Sequence, residues 1–480
     1  IFYSHLTILS ILITFHRAIH FICFRFILFH LYVKEAMTRL IKIVCYYGSW
    51  AAYRRGLGQF ESTDIDPNLC THIIYTFVGI SEDGNVRILD SWLDLPNGRD
   101  GYGKFTRLRQ LSPETKALIA IGGWNEGSTK YSNVVANPNV RARFVQNVIK
   151  FLKTYDFDGF DFDWEYPNQR GGKPADKENY IAMLKELREE FDKHGYILSV
   201  AVAAAEVSAS KSYLISQISQ YPHIINLMAY DLNGSWNNFA AINAPLYPSS
   251  KESGEQAKLN NSAVQYWLAQ GAPADKLILG IPAYGRSFTL SNSAYNTVGS
   301  PTIGPGKAGP YTQEGGMLGY NEICKYIEQG WTVQREKIKN IETRISLEEK
   351  AKYVMSKGLG GIMMWSVETD DFRGTCGDKY PLLHSINRVL KGYIPPPSPI
   401  STSTILPSST LSTTVLPSST PSDSICTQEG FVRDPKDCSI FYYCQQAYNK
   451  YLINRFHCPS GLVFDTSFNG CNYRYNVPDC

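Results

Sequence analysis

The stretch of this chain richest in chemistry is Asp158-Gly-Phe-Asp161-Phe-Asp163-Trp-Glu165-Tyr-Pro. Along an extended strand successive side chains alternate faces. Asp161, Asp163 and Glu165 therefore share one face, and Phe160, Phe162 and Trp164 share the other. The aromatic face suits packing beneath helices, which leaves three carboxylates pointing inward. Burying three acids in a row is costly, and like charges so close cannot all ionise. At least one must hold a proton near neutral pH, and a carboxylic acid kept protonated is what general acid catalysis needs. Two other readings compete. A solvated charge run fails on the large aromatic residues between the acids. A magnesium or calcium site suits three carboxylates, but no cluster of partner ligands accompanies them. No metal or cofactor is expected.

The elements that must position this ladder are legible as alternating runs. Apolar, strand-like runs occur at KIVCYY (42–47), HIIYTF (72–77), ALIAIGG (117–123), GFDFDWE (159–165), ILSVAVA (197–203), IINLMAY (224–230), KLILGIPAY (276–284) and GGIMMWS (360–366). Several are almost continuously hydrophobic, as in parallel strands buried on both faces. Amphipathic stretches such as 139–154 and 176–193 lie between them. Eight such units predict an α/β fold, a (β/α)₈ barrel, with Glu165 at the C-terminal end of its strand, where barrels place their chemistry. The interval from about 285 to 350 is too long for one crossover and predicts an inserted α+β subdomain.

At 480 residues the chain needs two or three units. A composition of 44% hydrophobic and 19% charged residues is globular, and a net charge of +3 is too balanced for a nucleic-acid grip or a polybasic membrane surface. Aromatic residues make up 13%, an excess that suits the apolar faces of sugar rings. Six of the 11 cysteines (Cys426, Cys438, Cys444, Cys458, Cys471, Cys480) crowd into residues 426–480 without CxxC metal spacing, which predicts a disulfide framework and an oxidising compartment. Residues 1–40 read as a leader or extra translated segment, because Arg17 and Arg25 interrupt an apolar run too short to span a membrane. Of residues 394–422, 22 of 29 are Pro, Ser or Thr, and LPSST occurs twice, so 393–425 is expected to be an extended stalk.

The ladder and its flanks resemble the glycoside hydrolase family 18 chitinases, of the animal chitotriosidase and acidic mammalian chitinase type. FDGFDFDWEYP carries the D-x-x-D-x-D-x-E signature, and CYYGSW (45–50), IGGWN (121–125), MAYD (228–231), YGRSF (284–288) and ETDDF (368–372) are similar to the family's strand-end motifs. The resemblance implies substrate-assisted retaining hydrolysis, an exception to the two-carboxylate scheme. Glu165 is then the proton donor, Asp163 the stabiliser of an oxazolinium ion, Asp161 its proton-sharing neighbour, and Tyr230 the group that orients the acetyl carbonyl. Trp365 is implied as the floor of the central subsite, with Trp50, Trp92 and Trp124 lining the cleft. Gly122, Gly123, Asn125, Tyr166, Met228, Asp231, Tyr284 and Arg286 carry over as substrate-binding positions.

The terminal module, spaced C-x₁₁-C-x₅-C-x₁₃-C-x₁₂-C-x₈-C, resembles the peritrophin-A (family 14) chitin-binding domain, with Phe441-Tyr-Tyr443, Phe464, Phe468 and Tyr473 as candidate stacking rings. Resemblance also implies the pairs Cys45–Cys70, Cys324–Cys376, Cys426–Cys444, Cys438–Cys480 and Cys458–Cys471. One departure stands out: Trp331-Thr-Val-Gln-Arg-Glu336 runs almost directly into SLEEKAKYVMSKG (346–358), where family members carry another pair of strands. Of two glycosylation sequons, Asn233-Gly-Ser235 falls by the cleft and Asn260-Asn-Ser262 is the better acceptor. The expectation is a secreted, monomeric endochitinase acting on chitin and chito-oligosaccharides, with no nucleic-acid or membrane partner. It would comprise a barrel over 41–392, a stalk and a chitin-binding module over 426–480. The alternatives are a chitin-binding lectin of the same fold, silenced by the shortened insertion, and a matrix protein that coats chitin through its terminal module alone.

Overall fold

The computed structural model describes residues 41–247, 260–331 and 344–392, and, in the C-terminal module, 430–447, 450–458, 462–466, 470–474, 477 and 480. The expected leader, the expected stalk and the shortened join at 332–343 lie outside the described residues. Among those described, no helix is long and apolar enough to cross a membrane.

Eight parallel strands close into a barrel: β1 (Lys42–Gly48), β2 (His72–Ile80), β3 (Lys116–Gly122), β4 (Gly159–Asp163), β5 (Ile197–Ala203), β6 (Ile224–Met228), β7 (Leu277–Pro282) and β8 (Gly361–Trp365). Each pairs with the next, and β1 closes the ring by pairing with both β2 and β8. Every run singled out in the sequence is one of these strands. Their near-continuous apolar character follows from burial on both faces. On β1, Ile43, Cys45 and Tyr47 join the outer core beneath the helices, while Val44 and Tyr46 join the core inside the barrel.

The outer layer shows why the two amphipathic stretches are helices. Pro138–Tyr155 starts on Asn137, whose side chain accepts from the Asn139 amide at 3.0 Å, with Pro138 in the first turn where its missing N–H costs nothing. It buries Phe144, Val145, Val148, Ile149, Phe151 and Leu152 on one face. Asp176–Asp192 follows the next strand and buries Tyr180, Met183, Leu184, Leu187 and Phe191. Between these layers, Phe160, Phe162 and Trp164 of the ladder pack on Tyr131, Phe144 and Tyr180, with ring centroids 5.5–6.2 Å apart. That packing turns the acids inward.

The interval after β7 holds an α+β insertion. Tyr284–Arg286 pairs antiparallel with Met317–Gly319, Phe288–Leu290 with Thr302–Pro305, and helix Tyr320–Glu328 follows. Disulfide Cys324–Cys376 fastens that helix to the loop after β8, and Cys45–Cys70 links β1 to the segment entering β2.

A second compact unit spans residues 400–480. Its sheet of Gly430–Arg433, Ile440–Ala447 and Lys450–His457 is antiparallel, and Leu462–Asp465 pairs with Gly470–Tyr473. Cys438 is bonded to Cys480, and Cys444 and Cys458 are also in disulfides. Two of the expected stacking rings are corrected. Phe464 is fully buried, stacked on Phe441 at 4.2 Å, and Tyr442 is covered by its neighbours and donates to Asp434 at 2.6 Å. Strand alternation separates Tyr442 from Phe441. Among the described residues, Phe431 and Phe456 are the open rings of this module, each 42% exposed and each beside Phe441. The side chains of Tyr443, Phe468 and Tyr473 lie outside the described residues.

Candidate active site

β4 carries the ladder up the inside of the barrel. Register places Asp161 between Ala120 and Ser199, and Asp163 between Gly122 and Ala201, so small neighbours leave room for the carboxylates. Asp161 is fully buried and accepts from the Tyr46 hydroxyl at 2.7 Å and the Asn226 amide at 3.4 Å. Asn226 also donates to Tyr46 and Ser199 at 3.0 and 2.9 Å. Burial raises Asp161 to about 6, while these donors hold it from going higher. Asp163 is only 3% exposed, and its Oδ1 has no hydrogen-bond partner. Burial, then the charges of Glu165 and Asp161, push its carboxyl well above the usual range. Glu165 lies where the strand gives way to the cleft and keeps part of its surface open. Burial raises it to about 7, and Tyr166 and Arg170 pull the other way. The three acids cannot all be charged at neutral pH. A solvent-facing acid titrating near 7, backed by an unpartnered carboxylate oxygen, can donate a proton outward and receive a donor from a bound ligand.

Around the ladder the strand ends form an aromatic floor. Trp365, ending β8, lies 5.5 Å from Tyr46, 5.9 Å from Phe77 and 6.2 Å from Trp50. Gly122 has φ +119°, and a Cβ there would meet the Asp163 carbonyl oxygen at 1.8 Å. Tyr230 is buried beside Tyr284 and Met363, and Asp231 receives both Nε and Nη2 of Arg286 at 2.7 Å.

The profile described as glycosyl hydrolases family 18 matches residues 42–370. The chain belongs to that family. A second profile, the chitin binding peritrophin-A domain, matches residues 426–480. "Probable chitinase 2" of Drosophila melanogaster is 39% identical, over 77% of this chain and 85% of its own length. The endochitinase of Manduca sexta is 38% identical, over 76% of this chain and 70% of its own. Among solved structures, the Ostrinia furnacalis Group IV chitinase has a TM-score of 0.71 at 44% identity, over 73% of this chain and 99% of its own, and was also solved with allosamidin. Human YKL-39, described as a pseudo-chitinase with retained chitooligosaccharide binding, has a TM-score of 0.68 at 32% identity, over 73% of this chain and all of its own.

In this family 18 barrel Asp163 lies within electrostatic reach of Asp161, Glu165 and Tyr230, with Asp161 buried deepest in the interior, and Trp50 stacks on Phe77. Gly122 and Gly123 line the seam between β3 and β4, where the Gly123 amide donates to the Asp163 carbonyl at 3.0 Å. Trp124 and Asn125 are exposed on the short turn that follows, Tyr166 adjoins Glu165, and Met228 packs against the inner core. Trp92 is exposed on helix Ser91–Asp94, and the ring cluster of the floor does not extend to it. Asn233 is fully buried and donates to the Ile242 carbonyl, so the sequon at the cleft offers no accessible amide. Cys324, Asp371 and Cys376 lie close enough together to resemble a metal site, but the disulfide occupies both sulfurs.

Sequence reasoning missed Tyr46, Asn226, Phe77 and Glu368. Tyr46 and Asn226 were discoverable as inward-facing polar positions on strands otherwise apolar. Phe77 was not, because alternation from Ile73 and Tyr75 assigns it outward. A register shift between Thr76 and Val78 turns it onto Trp50 instead. Glu368 is buried under the floor, where it accepts from the Gly48 amide at 3.1 Å and the Ser366 hydroxyl at 2.5 Å.

Proposed function

We propose that this chain is a secreted endochitinase that cleaves β-1,4 bonds between N-acetylglucosamine units with retention, using the substrate's own acetamido group as nucleophile. Glu165 protonates the bridging oxygen as the glycosidic bond breaks. The acetamido carbonyl oxygen closes on the anomeric carbon, and the resulting oxazolinium is opened by water, which returns a proton to Glu165. Asp163 accepts the acetamido N–H and offsets the positive charge, Asp161 shares its proton, and Tyr230 orients the carbonyl.

The observation that carries this reading is the lone buried Oδ1 of Asp163, one ladder step behind a part-open acid. An unpaired carboxylate oxygen inside a protein is costly unless a ligand completes it. A two-carboxylate mechanism would need a second free acid across the cleft. Asp231, which faces Glu165 electrostatically, is instead held in a two-point grip by Arg286. The relatives' chitinase names and the chitin-binding profile point to chitin as the polymer. Disulfides in both units and the chitin-binding module favour an extracellular setting.

The test is cleavage of N-acetylchitohexaose with product sizes and anomeric configuration followed by NMR. Internal cleavage with retained β-anomers is expected, and α-anomers at the first turnover would refute the mechanism. The lectin alternative draws on the short join after Trp331 and on the similarity to YKL-39. Tight hexamer binding without turnover would favour it.

A further inference from the structure

Arg170 lies in the loop that leaves the ladder, at a left-handed φ of 51°. The loop holds it there. Buried Asp176 accepts from the amides of Asn168 and Lys173 at 3.1 and 2.7 Å and from Ser132 Oγ at 2.7 Å, and Gln169 reaches Ser208 and Ser212 at 2.8 and 2.7 Å. So presented, the guanidinium lies 3.5 Å from the ring centre of Trp124. Its Nη1 donates to the carbonyls of Trp124 at 2.7 Å and of Glu165 at 2.9 Å.

We propose that Arg170 is a positioning residue for substrate: it backs one face of Trp124, ties that ring to the backbone of Glu165, and leaves the opposite face fixed toward the sugar. The inference rests on the function proposed above. Trp124 is 57% exposed, and without a backing group an exposed indole on a short turn samples several rotamers. A planar cation at stacking distance removes that freedom before substrate arrives, so less ordering cost falls on binding. Lys cannot substitute, because it lacks the planar fork that satisfies a ring and two carbonyls together.

The same cation acts on Glu165. The ionisable groups facing that carboxyl are Asp163 on its own strand, Tyr166 and Arg170 on the loop, Asp231 and Tyr230 after β6, and Tyr213 after helix Glu206–Ser212. Among these, Arg170 is the cation, and it favours the ionised acid. Removing it leaves the acid protonated to higher pH.

Two variants, Arg170→Lys and Arg170→Gln, separate these effects. In a Glu165→Gln background, both are expected to raise the Kd for N-acetylchitohexaose about threefold to tenfold. In the otherwise unmodified enzyme, Arg170→Gln moves the alkaline limb of kcat/KM upward by about half a pH unit or more, while Arg170→Lys leaves it in place. Unchanged Kd in both variants, or equal movement of the limb in both, overturns the proposal. A parent protein that binds the hexamer without turning it over refutes the proposed function alone, since the Kd comparison still decides the role of Arg170. A parent that does not bind it refutes both.

Discussion

Glu165 and Asp161 make the ladder both reactive and expensive. Glu165→Gln keeps the shape and hydrogen-bonding capacity of the side chain but has no proton to give. Turnover should fall at least about a hundredfold with oligosaccharide affinity retained, and near-parental kcat in that variant would remove Glu165 from its role. The stability of the same residues depends on pH in a definite direction. Burial raises Asp161 from 3.8 to about 6 and Glu165 from 4.5 to about 7. The folded chain therefore holds protons that the unfolded chain has already released. Their favourable contribution is full below about pH 4 and is lost as pH rises through 6 to 7. Glu165→Gln should consequently gain more thermal stability at pH 8 than at pH 4, by about 2 °C or more in differential calorimetry. An equal gain at both pH values would mean that Glu165 is not strained by burial.

At the scale of elements, the seam between β3 and β4 is held by close backbone approach rather than by side chains. Gly122→Ala would drive a Cβ into the Asp163 carbonyl, at a φ that L-residues rarely adopt. It should cost about 2 kcal/mol or more in denaturant unfolding and abolish activity. Gly123→Ala is strained as well, at φ +80° and ψ 170°, and would also meet the Phe77 ring at 2.6 Å, so it should weaken oligosaccharide binding in addition to stability. A Gly123→Ala variant with parental stability and parental oligosaccharide binding would show that the seam tolerates a side chain. The same region marks the limit of what the sequence discloses. Period-two alternation in GFDFDWE suffices to place acids inside and aromatics outside, because that strand is regular. Eight apolar runs suffice for the barrel. Phe77 escapes because one irregular residue reverses the phase of β2. Glu368 escapes because its importance lies in a contact with Gly48, 320 residues away in sequence. The terminal rings were misjudged because a cysteine framework says which residues are near each other, not which face is buried.

At the scale of the whole molecule, the chain divides into two compact units whose partition falls in the Pro/Ser/Thr-rich segment. The first unit has its own core, and its disulfides Cys45–Cys70 and Cys324–Cys376 use no cysteine of the second. Helix Pro381–Lys391 closes the barrel layer and ends on Gly392 in the left-handed conformation that stops a helix. A chain cut after Gly392 is therefore expected to fold. Insoluble chitin is a surface on which accessible chain is scarce, so a tethered binding module raises the local concentration of the cleft without touching its chemistry. A short soluble oligomer reaches the cleft by diffusion and gains nothing from the tether. Truncation should leave kcat/KM on N-acetylchitohexaose within about twofold, while adsorption to crystalline chitin and sugar release from it fall several-fold. Adding back the isolated module in trans should not restore the loss, because effective concentration requires a covalent link. Rates on soluble and insoluble substrate that fell together would mean that the second unit supports the barrel itself, and the division of labour between the units would have to be abandoned.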